Sequence, residues 1–216
     1  MKIGLTMRHS RAREYQEDRD AIARDWPLFL QQYLPHIQWM LLPNLSANDM
    51  VKYVARWELE GFLVTGGDDP GMDSMRDQAE RALLDYAVSH RKPVLGICRG
   101  FQVIQQYLDG ALTPCATDEH LSRSHTVHFS PQMRFLFPDK MDMRVNSYHR
   151  MGIKTKDLAP PLMTLAMTGE WVECAVSEKP ALMGMLWHPE RAGGDPLLDG
   201  NLMERFFQGK INLPET

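Results

Sequence analysis

Only three cysteines occur in the 216 residues, Cys98, Cys115 and Cys174, an odd number with no paired spacing. That excludes a disulfide framework and points to a reducing compartment. Long apolar runs are missing too. None approaches the ~18 residues that a membrane-spanning helix needs, and Met1-Lys2-Ile3-Gly4-Leu5-Thr6 enters a strand pattern at once, without the apolar region of a signal peptide. A cytoplasmic protein with no membrane partner is expected. Nor is there an excess of positive charge: 24 Lys and Arg against 28 Asp and Glu give a net charge of −4, which leaves no electrostatic footprint for nucleic acid. No internal repeat, low-complexity tract or Pro/Gly-rich linker divides the chain, so residues 1–216 are expected to form a single domain. Hydrophobic residues at 44% and charged ones at 24% are ordinary globular usage and exclude a disordered chain.

What is present centres on one stretch. Pro93-Val94-Leu95-Gly96-Ile97 reads as a buried strand, Cys98 follows, and Phe101, Ile104 and Leu108 then fall at helical spacing. A strand-to-helix elbow of this kind pushes its side chain out at the sheet edge in a strained backbone conformation. It needs small neighbours, here Gly96 and Gly100, because two backbones pass close together. Unpaired N–H groups and the helix dipole at that position favour a thiolate. Cys98 is therefore a candidate nucleophile, although a cysteine near the end of an apolar strand is also a common small buried hydrophobe.

Ninety residues on, Ala181 to Trp187 reads as another buried strand and runs into His188-Pro189-Glu190. A histidine and a carboxylate two apart at a strand end can leave the same edge of a sheet. The imidazole then reaches the sulfur while the carboxylate fixes its tautomer.

The segments PVLGICRGFQ, VTGGDD, VNSYHRMGI and LWHPE resemble, in order and spacing, the class I glutamine amidotransferase-like superfamily, and within it the γ-glutamyl hydrolase (peptidase C26) branch. The resemblance is strong from about residue 60 and looser before it. It implies an α/β fold in three layers: a mostly parallel, doubly wound (flavodoxin-like) sheet with helices on both faces and added antiparallel strands in the second half. It also implies a cysteine-nucleophile amidohydrolase with Cys98, His188 and Glu190 as triad. The N–H groups of Gly67 and Arg99 would form the oxyanion hole, and Gln102, Asn146, Ser147, Tyr148 and His149 would contact a γ-glutamyl group. The implied chemistry passes through a γ-glutamyl thioester and requires no metal or organic cofactor. The substrate is glutamine, with ammonia handed to a separate synthetase, or another γ-glutamyl amide, hydrolysed without a partner. A chain shorter than many hydrolases of that branch favours the first. A non-catalytic binding protein on the same fold is a third possibility.

Other segments read as follows. Arg8 to Asp20 is a run of mixed charge, either a solvated loop or, since it follows the first strand, a flap from which Tyr15 or Arg19 helps close a pocket. Ala21 to Leu34 is an amphipathic helix stopped by Pro35. Asn48 or Asp49 caps a helix that runs to Leu59. Asp73 to Arg91 is a helix on which Arg76 and Glu80 form a surface i,i+4 pair, although Arg76-Asp77 and Glu80 also resemble a charged pattern of the hydrolase branch. His120, His125 and His128 raise the question of a metal, but no completing ligand pattern accompanies them, so none is expected. Gly169-Glu170 marks a hairpin between two late strands. A helix from Pro196 to Gln208 closes the chain.

Overall fold

Five apolar strands line up in parallel at the centre of the molecule: β1 (Lys2–Thr6), β4 (Gln38–Leu42), β5 (Gly61–Val64), β6 (Val94–Ile97) and β13 (Ala181–Met185). Their spatial order, β4-β1-β5-β6-β13, is the doubly wound order in which the first strand is flanked by the second and the third. The computed structural model describes residues 1–115 and 121–211, with residues 121–123 described by their backbone alone. Among the described residues no helix is long and apolar enough to cross a membrane.

Successive side chains of these strands feed two separate cores, which is why the strands read as continuous apolar runs rather than alternating ones. Ile3, Leu5, Leu63, Leu95, Ile97, Met183 and Met185 face helices α1 (Asp25–Tyr33) and α5 (Pro196–Phe207). Phe62, Val64, Val94 and Leu182 face α2 (Ala47–Arg56), α3 (Ser74–Ser89) and α4 (Arg99–Tyr107). Beyond β13 the sheet continues antiparallel through β12 (Trp171–Glu178), β11 (Met163–Thr168), β8 (Leu121–Phe129) and β9 (Asp142–Tyr148). β11 and β12 are joined through Gly169 at φ 55, a left-handed position suited to glycine.

Three local expectations are corrected. The charged run forms a small hairpin, β2 (Arg8–Arg11) with β3 (Asp18–Ala21), so the following helix begins at Asp25 rather than Ala21. Ser46 caps α2, its Oγ accepting from the Asp49 N–H at 3.3 Å. That helix ends at Arg56, because Glu58 turns to φ 51 and starts the descent into β5. Asp73 caps α3 by accepting from the N–H groups of Met75 and Arg76, at 3.0 and 3.2 Å. The Arg76–Glu80 pair lies fully inside the protein, not on its surface.

Candidate active site

Cys98 stands between the last residue of β6 and the first of α4 with φ 51 and ψ −106. A side chain other than glycine is rarely held there, at a cost of about 1–3 kcal/mol, unless its surroundings enforce it. Here they do. The Cys98 N–H donates to Met185 O at 2.7 Å, and its carbonyl accepts from Phe101 N and Gln102 N at 3.0 and 3.2 Å. The elbow also needs its glycines: a Cβ on Gly100 would lie 2.0 Å from Val64 O, and one on Gly96 would lie 2.4 Å from the Gly100 carbonyl. Cys98 borders a cavity of about 270 Å³ open to solvent.

β13 delivers the partner. After Met185 the chain passes through buried Leu186 and Trp187 to His188, which is 3% exposed. His188 Nδ1 donates to Glu190 Oε1 at 2.7 Å, since a carboxylate only accepts. With Nδ1 taken, Nε2 is the nitrogen left for the Cys98 side chain, which borders the same cavity. Burial pulls the imidazole down, but the hydrogen bonds to Cys98 and Glu190 outweigh it and push His188 up to about 9. At neutral pH the site therefore holds an imidazolium beside the sulfur.

The ring is fixed from outside as well. Tyr148 meets it edge-on, centroids 5.5 Å apart, and the Arg191 guanidinium lies 4.7 Å over the Tyr148 ring. Asn146 grips the peptide behind it: Oδ1 accepts from the His188 N–H at 2.8 Å, while Nδ2 donates to the carbonyls of His188 and Ala192 at 2.8 and 3.2 Å.

The Gly66-Gly67 turn after β5 approaches from the other side, and Gly67 borders the same cavity as Cys98. Gly67 sits at φ 154, and a Cβ there would lie 2.2 Å from Arg76 Nη1. Arg76 holds the turn, Nη2 donating to Thr65 O at 2.8 Å and Nη1 to Gly66 O at 3.2 Å. Its Nε donates to Glu80 Oε1 at 2.8 Å, which also accepts from Thr6 Oγ1 at 3.0 Å. Arg99 completes the network through Glu80 Oε2 and Asp77 Oδ1. One buried carboxylate thus ties the glycine turn to the first residue of α4. The Arg99 N–H, one of the helix's unpartnered N-terminal donors, lies beside Cys98 in the chain.

The remaining expected contacts divide. Tyr148 borders the cavity with Cys98. Gln102 is buried one turn into α4, its Nε2 donating to Met151 O at 2.9 Å, while Oε1 has no hydrogen-bond partner among the described residues. Asn146, expected to touch substrate, has its amide committed to the backbone that carries His188, and Ser147 is buried. His149 turns to Met151 O at 3.1 Å and toward Glu173 at 4.0 Å, so neither Asn146 nor His149 borders the cavity. His125 pairs with buried Glu173 at 3.1 Å, and His120 lies outside the described residues. Among the described residues no group of three His, Cys, Asp or Glu side chains could hold a metal ion.

The sequence reading missed the cavity's outer wall. Arg8, His9 and Ser10 form it together with Asp68 and Arg191. Their signal was the charged run after β1, but the expectation fell on Tyr15 and Arg19, which bond to each other further along the hairpin. Arg191 directly follows the His-Pro-Glu motif, and nothing in that motif marks it as a wall of the cavity.

The sequence pattern of the peptidase C26 family matches residues 3–190. The chain is 27% identical over 201 residues to the γ-glutamyl-CDP-amidate hydrolase of Campylobacter jejuni, covering 90% of this chain and 92% of that one. It is 27% identical to the γ-glutamyl-γ-aminobutyrate hydrolase of Escherichia coli K12, covering 84% of this chain and 75% of that one. Its fold matches the glutaminase domain of Trypanosoma brucei CTPS, solved with bound acivicin, at a TM-score of 0.67 and 16% identity, covering 100% of this chain and 95% of that one.

Proposed function

Because the chain belongs to the peptidase C26 family, an amidohydrolase family, we propose that it hydrolyses a γ-glutamyl amide whose amine is larger than ammonia, through a Cys98-His188-Glu190 triad. The observation that carries this reading is His188, hydrogen-bonded to Glu190, bordering one cavity with Cys98 at the meeting edge of two parallel strands.

In the proposed cycle the Cys98 sulfur attacks the γ-carbonyl carbon, and the C=O electron pair moves to oxygen. The N–H groups of Gly67 and Arg99 receive that charge, an interaction commonly worth about 3–4 kcal/mol per donor. As the tetrahedral species collapses, the C–N bond breaks and His188 gives its proton to the departing nitrogen. A γ-glutamyl thioester remains on Cys98. His188, now neutral, takes a proton from water, hydroxide adds to the thioester carbon, glutamate leaves, and the proton stays on His188 opposite the restored thiolate. Glu190 holds the imidazole in the required tautomer throughout. Tyr148 and Gln102 are the candidates from the expected set for contact with the glutamyl chain.

Size does not favour the glutaminase reading, since the chain spans 92% of a relative named as a hydrolase of a γ-glutamyl conjugate. The second reading, a glutaminase that supplies ammonia to a separate synthetase, draws its support from the likeness to the CTPS glutaminase domain, which is a likeness of fold. The deciding experiment measures glutamate release by the isolated protein from glutamine and from a panel of γ-glutamyl amides. The hydrolase reading expects turnover of substituted amides with glutamine poor. Glutamine turnover that rises only when a synthetase is added overturns it.

A further inference from the structure

Given the hydrolase reading, the proton donor fixes where the departing amine must be: its nitrogen lies against His188 Nε2, so whatever the nitrogen carries extends over the groups that flank His188. Two clefts meet at this histidine. One is the cavity that Cys98 borders, and the other is a narrow slot between the Thr65-Gly66 turn and residues 21–23, which follow the hairpin. Arg8, His188 and Arg191 border both. Arg191 keeps its guanidinium on the Tyr148 ring with Nε 3.6 Å from Glu190 Oε1. Arg8 is solvent-exposed and packs against Gly67, and its side chain has no hydrogen-bond or ion-pair partner among the described residues.

The acidic groups nearby are largely committed. Glu190 serves His188, and Asp18 takes the His9 Nε2 at 3.0 Å; among the described residues, exposed Asp68 is the one carboxylate bordering the Cys98 cavity. Two arginines border both clefts with the proton donor, and the side chain of one of them is unmatched among the described residues, a lining suited to a carboxylate or a phosphoryl group. We infer that the amine released here carries an anionic group, held by Arg8 and Arg191 on the His188 side of the cleft.

Three amides test this: γ-glutamyl-γ-aminobutyrate with a carboxylate, γ-glutamyl-2-aminoethyl phosphate with a phosphoryl group, and uncharged γ-glutamyl-butylamide. At least one anionic amide is expected to exceed the butylamide in kcat/KM by about tenfold or more, and the better of the two identifies the anion. Arg8→Gln is expected to collapse that ratio toward one. In the unaltered protein, raising the salt to ~0.5 M is expected to narrow it, since added ions screen exposed charge; this reading does not depend on the variant folding. Equal turnover of anionic and uncharged amides overturns the inference and leaves the hydrolase reading standing. So does an equal loss on all three in Arg8→Gln, which would assign the arginines to the glutamyl α-carboxylate. Failure to cleave any substituted amide overturns the hydrolase reading itself, and this inference with it.

Discussion

Asn146 holds the His188 peptide from both sides, accepting from its N–H and donating to its C=O, each at 2.8 Å. The histidine is thus positioned through its backbone by a strand of the antiparallel half, while its ring is oriented by Glu190. Asn146→Ala removes the clamp and leaves buried polar groups without partners, a loss of about 1–3 kcal/mol. Its kcat is expected to fall by tenfold or more with KM little changed, whereas a direct substrate contact would raise KM. Steady-state kinetics on one amide separates the two.

Thiol chemistry is expected to single out Cys98. Burial, with Glu173 nearby, pushes the Cys115 thiol up to about 12, and burial drives Cys174 well above its usual range. A glutamine-mimicking diazoketone should therefore add once per chain at neutral pH, and peptide mass mapping should place the adduct on Cys98. Cys98→Ala or His188→Ala is expected to abolish glutamate release, while Cys115→Ala and Cys174→Ala keep most of it. Loss of turnover in a folded Cys115→Ala protein would mean that the wrong sulfur was chosen.

The pH profile follows from His188. Its pKa in the folded protein, about 9, lies above the ~6.5 of a free imidazole. The proton donor is therefore present at neutral pH, and kcat/KM is expected to fall as pH rises through about 9. Glu190→Gln removes one of the interactions that raise it, so the alkaline limb moves to lower pH and the rate falls by about 10²-fold or more. Cys98→Ala removes another, and its lowered histidine pKa is readable by NMR without turnover. The same linkage acts on stability: the His188 contribution is complete below about pH 6.5 and is lost as pH rises through about 9.

Glu80 separates two buried guanidinium groups. Glu80→Gln leaves Arg76 and Arg99 facing each other with Asp77 beside Arg99 and Asp73 near Arg76 to offset them, and breaking a buried pair of this kind costs about 3–5 kcal/mol. Chemical denaturation should show that loss. Because Arg76 also holds the Gly66-Gly67 turn, kcat in the surviving folded fraction is expected to fall more than KM rises.

At Asp199, unlike Glu80, a substitution is expected to stabilise the protein. Burial beneath Trp187 raises its carboxyl to about 8, although the Trp187 Nε1 hydrogen bond at 2.9 Å acts against that. Its contribution to stability is complete below about pH 4 and is lost as pH rises through about 8, where a charge must be buried. Asp199→Asn keeps an acceptor for Trp187 and removes the charge. A gain of about 2–4 °C in Tm per kcal/mol is expected at pH 8.5 and almost none at pH 4.5, readable in paired thermal melts.

The sequence by itself determined the central layer. Runs such as Val94 to Ile97 are apolar on both faces because helices cover both, and the glycines around Cys98 are dictated by backbones passing within contact distance. These are local requirements, so they are written locally. The same holds for His188 and Glu190, whose two-residue spacing at a strand end already sets their hydrogen bond. Only the tertiary structure decided where charge goes. Arg76 and Glu80 have the spacing of a surface pair, and nothing within α3 shows that Arg99, from another helix, meets them inside. Asn146 likewise reads as a substrate donor until β9 is laid beside the chain after His188. The hairpin that walls the cavity reads as solvated charge until β2 is folded over the Gly67 turn. Burial of a polar side chain depends on partners distant in the chain, and a single sequence carries no record of which distant partners it will meet.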